Sequence, residues 1–145
     1  MIRYRSTRAP GGVDEFDLGF GDVLLAGLAP DGGLYCPVEI PNLSDLAPIT
    51  AETPYVDAAT TIIAPFVAGT FDEAELASMV KEAYAGFRHP DICPVTELGP
   101  DQYLLDLTRG PTLAFKDLAL QLVARMLDAE LDRRGEQVTV IGATS

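Results

Sequence analysis

One run constrains this chain more than any other. From Leu113 to Arg134 apolar residues recur at helical spacing, in two rows. Phe115, Leu118, Ala119, Leu122 and Met126 form the first row; Leu120, Val123, Leu127 and Leu131 form the second. Asp117, Gln121, Arg125, Asp128 and Asp132 fall on the remaining side. Gly110-Pro111 punctuates the chain just before this helix, and Thr112 is a fair N-cap. At the far end, Arg133-Arg134-Gly135 supplies cations at the negative pole and a glycine at C′. Tyr103–Leu107 before the helix and Gln137–Ile141 after it read as strands, so strand, loop, helix and strand form a βαβ unit. Such a crossover sets the carboxyl ends of both strands on one edge of a parallel sheet, where ligands collect. The loop carrying Lys116 follows the first strand and Gly142-Ala-Thr-Ser145 follows the second, so topology is expected to bring them together.

Lys116 stands four residues before Leu120 and shares its apolar row, while Asp117 points the other way. A lysine on a buried row loses hydration, which disfavours the charged form and lowers its pKa. The positive end of the helix dipole pushes in the same direction. Both effects free a neutral amine, which a lysine needs to attack a carbonyl. Periodicity alone favours a plainer account, a first-turn lysine whose head snorkels to water.

The first half of the chain supplies packing elements. Met1–Arg8 alternates like an edge strand, and its three arginines read as one solvated face rather than a phosphate patch. Gly11-Gly12 is a turn, and a helix is expected from about Gly19 to Leu28. Asp31-Gly32-Gly33 reads as a structural turn, followed by a short strand at Leu34-Tyr35-Cys36. Thr53-Pro54 opens a helix that Pro65 is expected to kink or break before Phe66-Val67. Thr70-Phe71-Asp72-Glu73 has capping-box spacing and opens another helix, closed near Gly86. His89, the sole histidine, sits in a loop and reads as solvated. Val95-Thr96-Glu97 is a further strand.

With 145 residues, 48% of them hydrophobic, the chain can bury a real core. A formal net charge of −12 argues against nucleic acid and against an anionic membrane surface as partners. No apolar run approaches membrane-spanning length, and no signal peptide is visible. Cys36 and Cys93 lie far apart without CxxC or Cys/His spacing. Free buried thiols are therefore expected, in the cytoplasm, and no metal site.

Three stretches in order carry a resemblance to a known family. Gly110-Pro-Thr-Leu-Ala-Phe-Lys-Asp-Leu-Ala-Leu-Gln121 resembles the lysine motif of threonine synthases, which are fold type II pyridoxal-phosphate enzymes. Gly27-Leu-Ala-Pro-Asp-Gly-Gly-Leu-Tyr-Cys-Pro37 resembles the signature near the N-terminus of that family, and Gly142-Ala-Thr-Ser145 matches the opening of its Gly-Ala-Thr-Ser-Gly-Asp-Thr-Gly loop. Cys36, in place of an aliphatic residue, and Thr108-Arg109, in place of a pair such as Phe-His, are small departures.

The resemblance implies an α/β chain in two parts. Residues 1–92 would form an N-terminal α+β subdomain, and residues 93–145 would open the pyridoxal-phosphate-binding α/β domain with its first βαβ unit, truncated. It implies a carbon–oxygen lyase acting on phosphates, which converts O-phospho-L-homoserine and water to L-threonine and phosphate. Lys116 would hold pyridoxal 5′-phosphate as a Schiff base and then move protons at Cα and Cβ; phosphate would leave from Cγ and water add at Cβ. Thr144 and Ser145 would begin the loop beside cofactor and substrate. Because the chain stops inside that loop, the 145-residue polypeptide alone is expected to be inactive. Two alternatives stand beside this: a related pyridoxal-phosphate lyase or dehydratase of another amino acid, and a non-catalytic truncated product.

Overall fold

Helical periodicity in the sequence becomes helix wherever a second apolar row is there to receive it. The computed structural model describes residues 1–10 and 18–142. Its elements run β1 (Tyr4–Ser6), α1 (Phe20–Ala26), β2 (Tyr35–Pro37), α2 (Tyr55–Val67), α3 (Glu73–Tyr84), β3 (Val95–Gly99), β4 (Gln102–Leu105) and α4 (Asp117–Arg134). The expected Gly11-Gly12 turn lies outside the described residues.

The core lies among α2, α3 and α4. Val67, Leu76, Met79, Val80, Ala83 and Tyr84 are buried together with Leu122 and Met126, and Leu76 and Val80 have no exposed surface at all. Burying a side chain of this size stabilises by about 1.5–3 kcal/mol relative to leaving it in water. Tyr84 adds edge-on ring contacts to Tyr55 (5.0 Å) and Phe87 (5.2 Å). α1 joins through Phe20, whose ring meets Phe71 at 6.1 Å.

Pro65 does not break α2, which runs unbroken to Val67. In the last turn it forfeits one amide hydrogen bond, to the Thr61 carbonyl, and that loss does not end the helix. The same turn is held from outside, with Tyr4 donating its hydroxyl to the Phe66 carbonyl at 2.6 Å and Val67 sinking into the core. The cap of α3 is Asp72, whose Oδ1 accepts from the Glu75 amide at 2.8 Å, and Thr70 does not cap it. The Thr70 hydroxyl is engaged elsewhere, accepting from the Gly21 amide at 3.0 Å.

β1 and β2 pair antiparallel with Arg5 opposite Cys36, and the Asp31-Gly32-Gly33 turn locks against them. Asp31 Oδ1 accepts from Ser6 Oγ (2.7 Å) and from the Gly33 amide (2.8 Å), and Gly32 adopts φ +76°. A Cβ on Gly33 would collide with Ser6 Oγ, so this motif is a structural turn. Cys36 is exposed rather than buried, because its short strand is covered on one side only; Cys93 is half-buried, and both are free thiols. Among the described residues no helix is long and apolar enough to cross a membrane.

The mixed helix-and-strand class holds, but the two small sheets are both antiparallel. β3 and β4 form a hairpin with Glu97 opposite Tyr103, and Asp101 at φ +60° makes the turn. The expected strand at 137–141 has no ladder partner among the described residues, and Ile141 is 91% exposed. The βαβ crossover is therefore not closed in residues 1–142. A strand exists only against a neighbour, and β4 directs its hydrogen bonds to β3.

Candidate active site

α4 begins at Asp117, four residues later than the periodicity implied, and Lys116 occupies its N-cap position. The delay has a local cause. Leu113 takes a left-handed backbone (φ +64°), which an ordinary L-residue seldom adopts and which a helix cannot contain. Residues 111–116 form successive turns instead, with the Leu113 amide donating to Gly110 O at 3.2 Å and the Asp117 amide to Ala114 O at 3.0 Å.

Lys116 is exposed, not buried. At 100° per residue, Lys116, Leu120 and Val123 fall on the side of α4 opposite Leu118, Leu122 and Met126. The latter row packs against α3, whereas Leu120 and Val123 are 54% and 39% exposed, and the Lys116 row becomes buried only at its far end, at Leu131. A row can be covered at one end of a helix and bare at the other. The desolvation expected for Lys116 is thus not supplied by the described residues. What the chain does present is a primary amine set among exposed apolar side chains, at a loop–helix junction held firmly from behind.

That hold comes from two buried groups. On the core side, Tyr84 donates its hydroxyl to the Leu118 carbonyl at 2.9 Å. Burial pushes the Tyr55 phenol well above its usual range, with Tyr84 and Cys93 adding to the effect; burial likewise raises Tyr84 and Cys93. On the loop side, Asp117 is 4% exposed, although its spacing assigned it to the solvated face. Its Oδ2 accepts from the Thr112 amide (2.8 Å) and its Oδ1 from the Thr112 hydroxyl (2.9 Å). Thr112 is therefore the donor, not the capping acceptor. Asp117 is the residue that periodicity missed; its one sequence signal is an acid at the first helical position, where it faces the free amides of the preceding loop.

Upstream, Asp106 steadies the passage from β4 into the loop. Hydrogen bonds from the Thr108 hydroxyl (2.7 Å) and amide (2.8 Å), then the Arg109 guanidinium at 2.7 Å, hold its carboxyl below the usual range. The Arg88 amide donates to Arg109 O at 2.8 Å, which ties the loop to the end of α3. Downstream, buried Glu130 accepts from Arg133 (2.6 Å) and Arg134 (2.7 Å), which reach on to Glu75 and Asp22 and fasten α4 to α3 and α1. His89 keeps to its loop, its Nδ1 accepting from the Asp91 amide at 3.2 Å. Thr144 and Ser145 lie outside the described residues, so their placement beside Lys116 is not described.

A family model described as "Threonine synthase N terminus" matches residues 3–84, more than half of the chain and ending before the lysine loop. The threonine synthase of Pseudomonas aeruginosa is 44% identical over 99% of this chain, which covers 30% of that protein. The crystal structure of a PLP-bound threonine synthase from Brucella melitensis superposes with a TM-score of 0.81 at 43% identity, over 94% of this chain and 29% of that one. The yeast threonine synthase structure gives 0.78 at 30% identity, over 91% of this chain and 27% of that one. The chain spans about 30% of the length of the relatives it matches, and these matches extend across the lysine loop and α4.

Proposed function

The chain belongs to the threonine synthase family, as an N-terminal part of it, and on that premise we propose that the full-length protein is a pyridoxal-phosphate-dependent threonine synthase. It acts in the cytoplasm on O-phospho-L-homoserine and water, releasing L-threonine and phosphate. Residues 1–92 serve as the N-terminal subdomain and residues 93–145 open the cofactor domain. The observation that carries this proposal is the superposition on a PLP-bound threonine synthase over 94% of the chain.

The residues present fit the cofactor in one respect that can be stated on chemistry. An aldehyde needs an accessible primary amine, and Lys116 offers one beside exposed apolar surface that an aromatic ring can use. When bound, pyridoxal phosphate supplies the electron sink. Lys116 would hold it, and its amine would take and return protons at Cα and Cβ of the substrate. Thr144 and Ser145 border the substrate. The 145-residue chain by itself is inactive.

Borohydride reduction of the full-length protein with pyridoxal phosphate, followed by peptide mapping, tests the central residue. The chain offers two lysines, Lys81 and Lys116, and the label is expected on Lys116. Phosphate release from O-phospho-L-homoserine with threonine as co-product supports the activity; a keto acid in place of threonine replaces it with a dehydratase.

A further inference from the structure

The loop that ends at Lys116 is closed by one carboxylate. Asp117 faces away from the amine beside it in sequence and is buried under the loop, where both oxygens are occupied by donors of Thr112. These two bonds join residues five apart and enclose Leu113, whose left-handed backbone is unfavourable and would relax without a restraint. Bonds to an ionised acceptor are stronger than neutral ones, and burial removes the water that would compete for them. Gly110 completes the closure, because a Cβ there would collide with the Cβ and Oδ2 of Asp117. With Tyr84 pinning the Leu118 carbonyl from the core side, the first turn of α4 is held at both faces.

We propose that Asp117 is the positioning residue for Lys116, its buried carboxylate closing the Gly110–Lys116 loop so that the amine leaves the helix start at one fixed place and direction. The proposal rests on Lys116 being the cofactor lysine. Asp117 touches no reacting atom; it acts through the backbone that carries Lys116. Asp117→Ala removes both acceptors. Asp117→Asn keeps one oxygen for the Thr112 amide and lets the hydroxyl turn round to accept, so it preserves the closure without the charge. Gly110→Ala leaves Asp117 in the sequence and evicts it from its place.

The test uses the full-length protein and two readouts. In cofactor-free protein, exchange of the Thr112 and Leu113 amides is expected to speed up roughly ten- to a hundredfold in Asp117→Ala and Gly110→Ala, and less in Asp117→Asn. In protein saturated with pyridoxal phosphate, kcat is expected to fall by a similar factor in the first two variants, with KM for O-phospho-L-homoserine within about twofold and partial retention in Asp117→Asn. Borohydride still labels Lys116 in all of them. If the unaltered protein is labelled at Lys116 but Asp117→Ala matches it in amide exchange or in kcat, the positioning role is wrong and the functional assignment survives. If label in the unaltered protein misses Lys116, both fall. Should Asp117→Ala fail to fold, Asp117→Asn and Gly110→Ala decide the matter, and identical behaviour of those two overturns the proposal.

Discussion

The inner face of the α2–α3–α4 layer and the stretch from β3 to Lys116 both carry large apolar residues, yet they end in opposite states. Leu76, Val80, Leu122 and Met126 are buried against one another. Val95, Leu98, Tyr103, Leu104 and Leu105 in the hairpin, and Leu113 and Phe115 in the loop, are largely exposed. The helical layer is closed by its own residues. Backbone and polar ties hold the hairpin and lysine loop: the Asp106 carboxylate, Arg88 to Arg109, and Asp117 to Thr112. Stability is thus concentrated in the part with no assigned chemistry, while the proposed chemistry sits on a surface whose apolar side chains await a cover.

The largest effect should come from opening the closed side. Leu76→Ala, at a position with no exposed surface, is expected to destabilise by about 2–5 kcal/mol through lost transfer energy and the cavity left behind. Urea unfolding followed by circular dichroism measures it, and a loss below 1 kcal/mol would mean the helical layer is not the stable half. Next in size is the α3 cap: Asp72→Ala removes the acceptor for the Glu75 amide and should cost about 1 kcal/mol in the same assay. Asp72→Ser should restore most of that loss, since a hydroxyl accepts as well.

How far this division was legible in the residues depends on the interaction concerned. Helices at 55–67, 73–84 and 117–134 follow from apolar recurrence, and Gly135 ends α4 with a left-handed backbone as its position implied. Periodicity cannot say which of two apolar rows will be covered. The rows on α4 are equivalent in the sequence, yet the Lys116 row is exposed at Leu120 and Val123 and buried only at Leu131. Short polar contacts between distant residues were equally invisible. Thr70 has the spacing of a cap, but its hydroxyl is taken by Gly21, 49 positions away. Asp117 looked solvated because nothing in a 3.6-residue period registers a loop folding back over the helix start. The antiparallel β3–β4 hairpin was missed for a related reason: strand propensity marks segments, and pairing depends on the turn at Asp101.

A smaller effect, on the exposed side, depends on pH. Hydrogen bonding to Thr108, reinforced by Arg109, lowers the Asp106 pKa, so the folded state favours the carboxylate more than the unfolded chain does. Its contribution is therefore complete above the unfolded value of about 3.9 and is lost as pH falls through the lower folded value. Asp106→Asn keeps an oxygen for Thr108 and should lower the urea midpoint slightly at pH 7. The gap should narrow as pH drops below about 4. A gap that widens on acidification would show that the carboxylate is not the stabilising form.

The smallest expected change in stability is also the one that separates the two regions most sharply. Lys116→Met removes an exposed charge at the start of α4, and Leu120→Ser removes an exposed apolar group. In the 145-residue chain each should shift unfolding by no more than about 0.5 kcal/mol, the usual range for surface positions without special contacts. Leu122→Ala, two residues on and on the buried row, should by contrast resemble Leu76→Ala. For Lys116→Met the near-silent unfolding curve of this chain should go with complete loss of borohydride-fixed pyridoxal phosphate from the same stretch of the full-length protein, Lys81 staying unlabelled. A Lys116→Met variant as damaged in stability as Leu122→Ala would make the lysine part of the packed layer. A variant that keeps both its stability and its label would move the cofactor to another amine, leaving the exposed face of α4 a surface for packing alone.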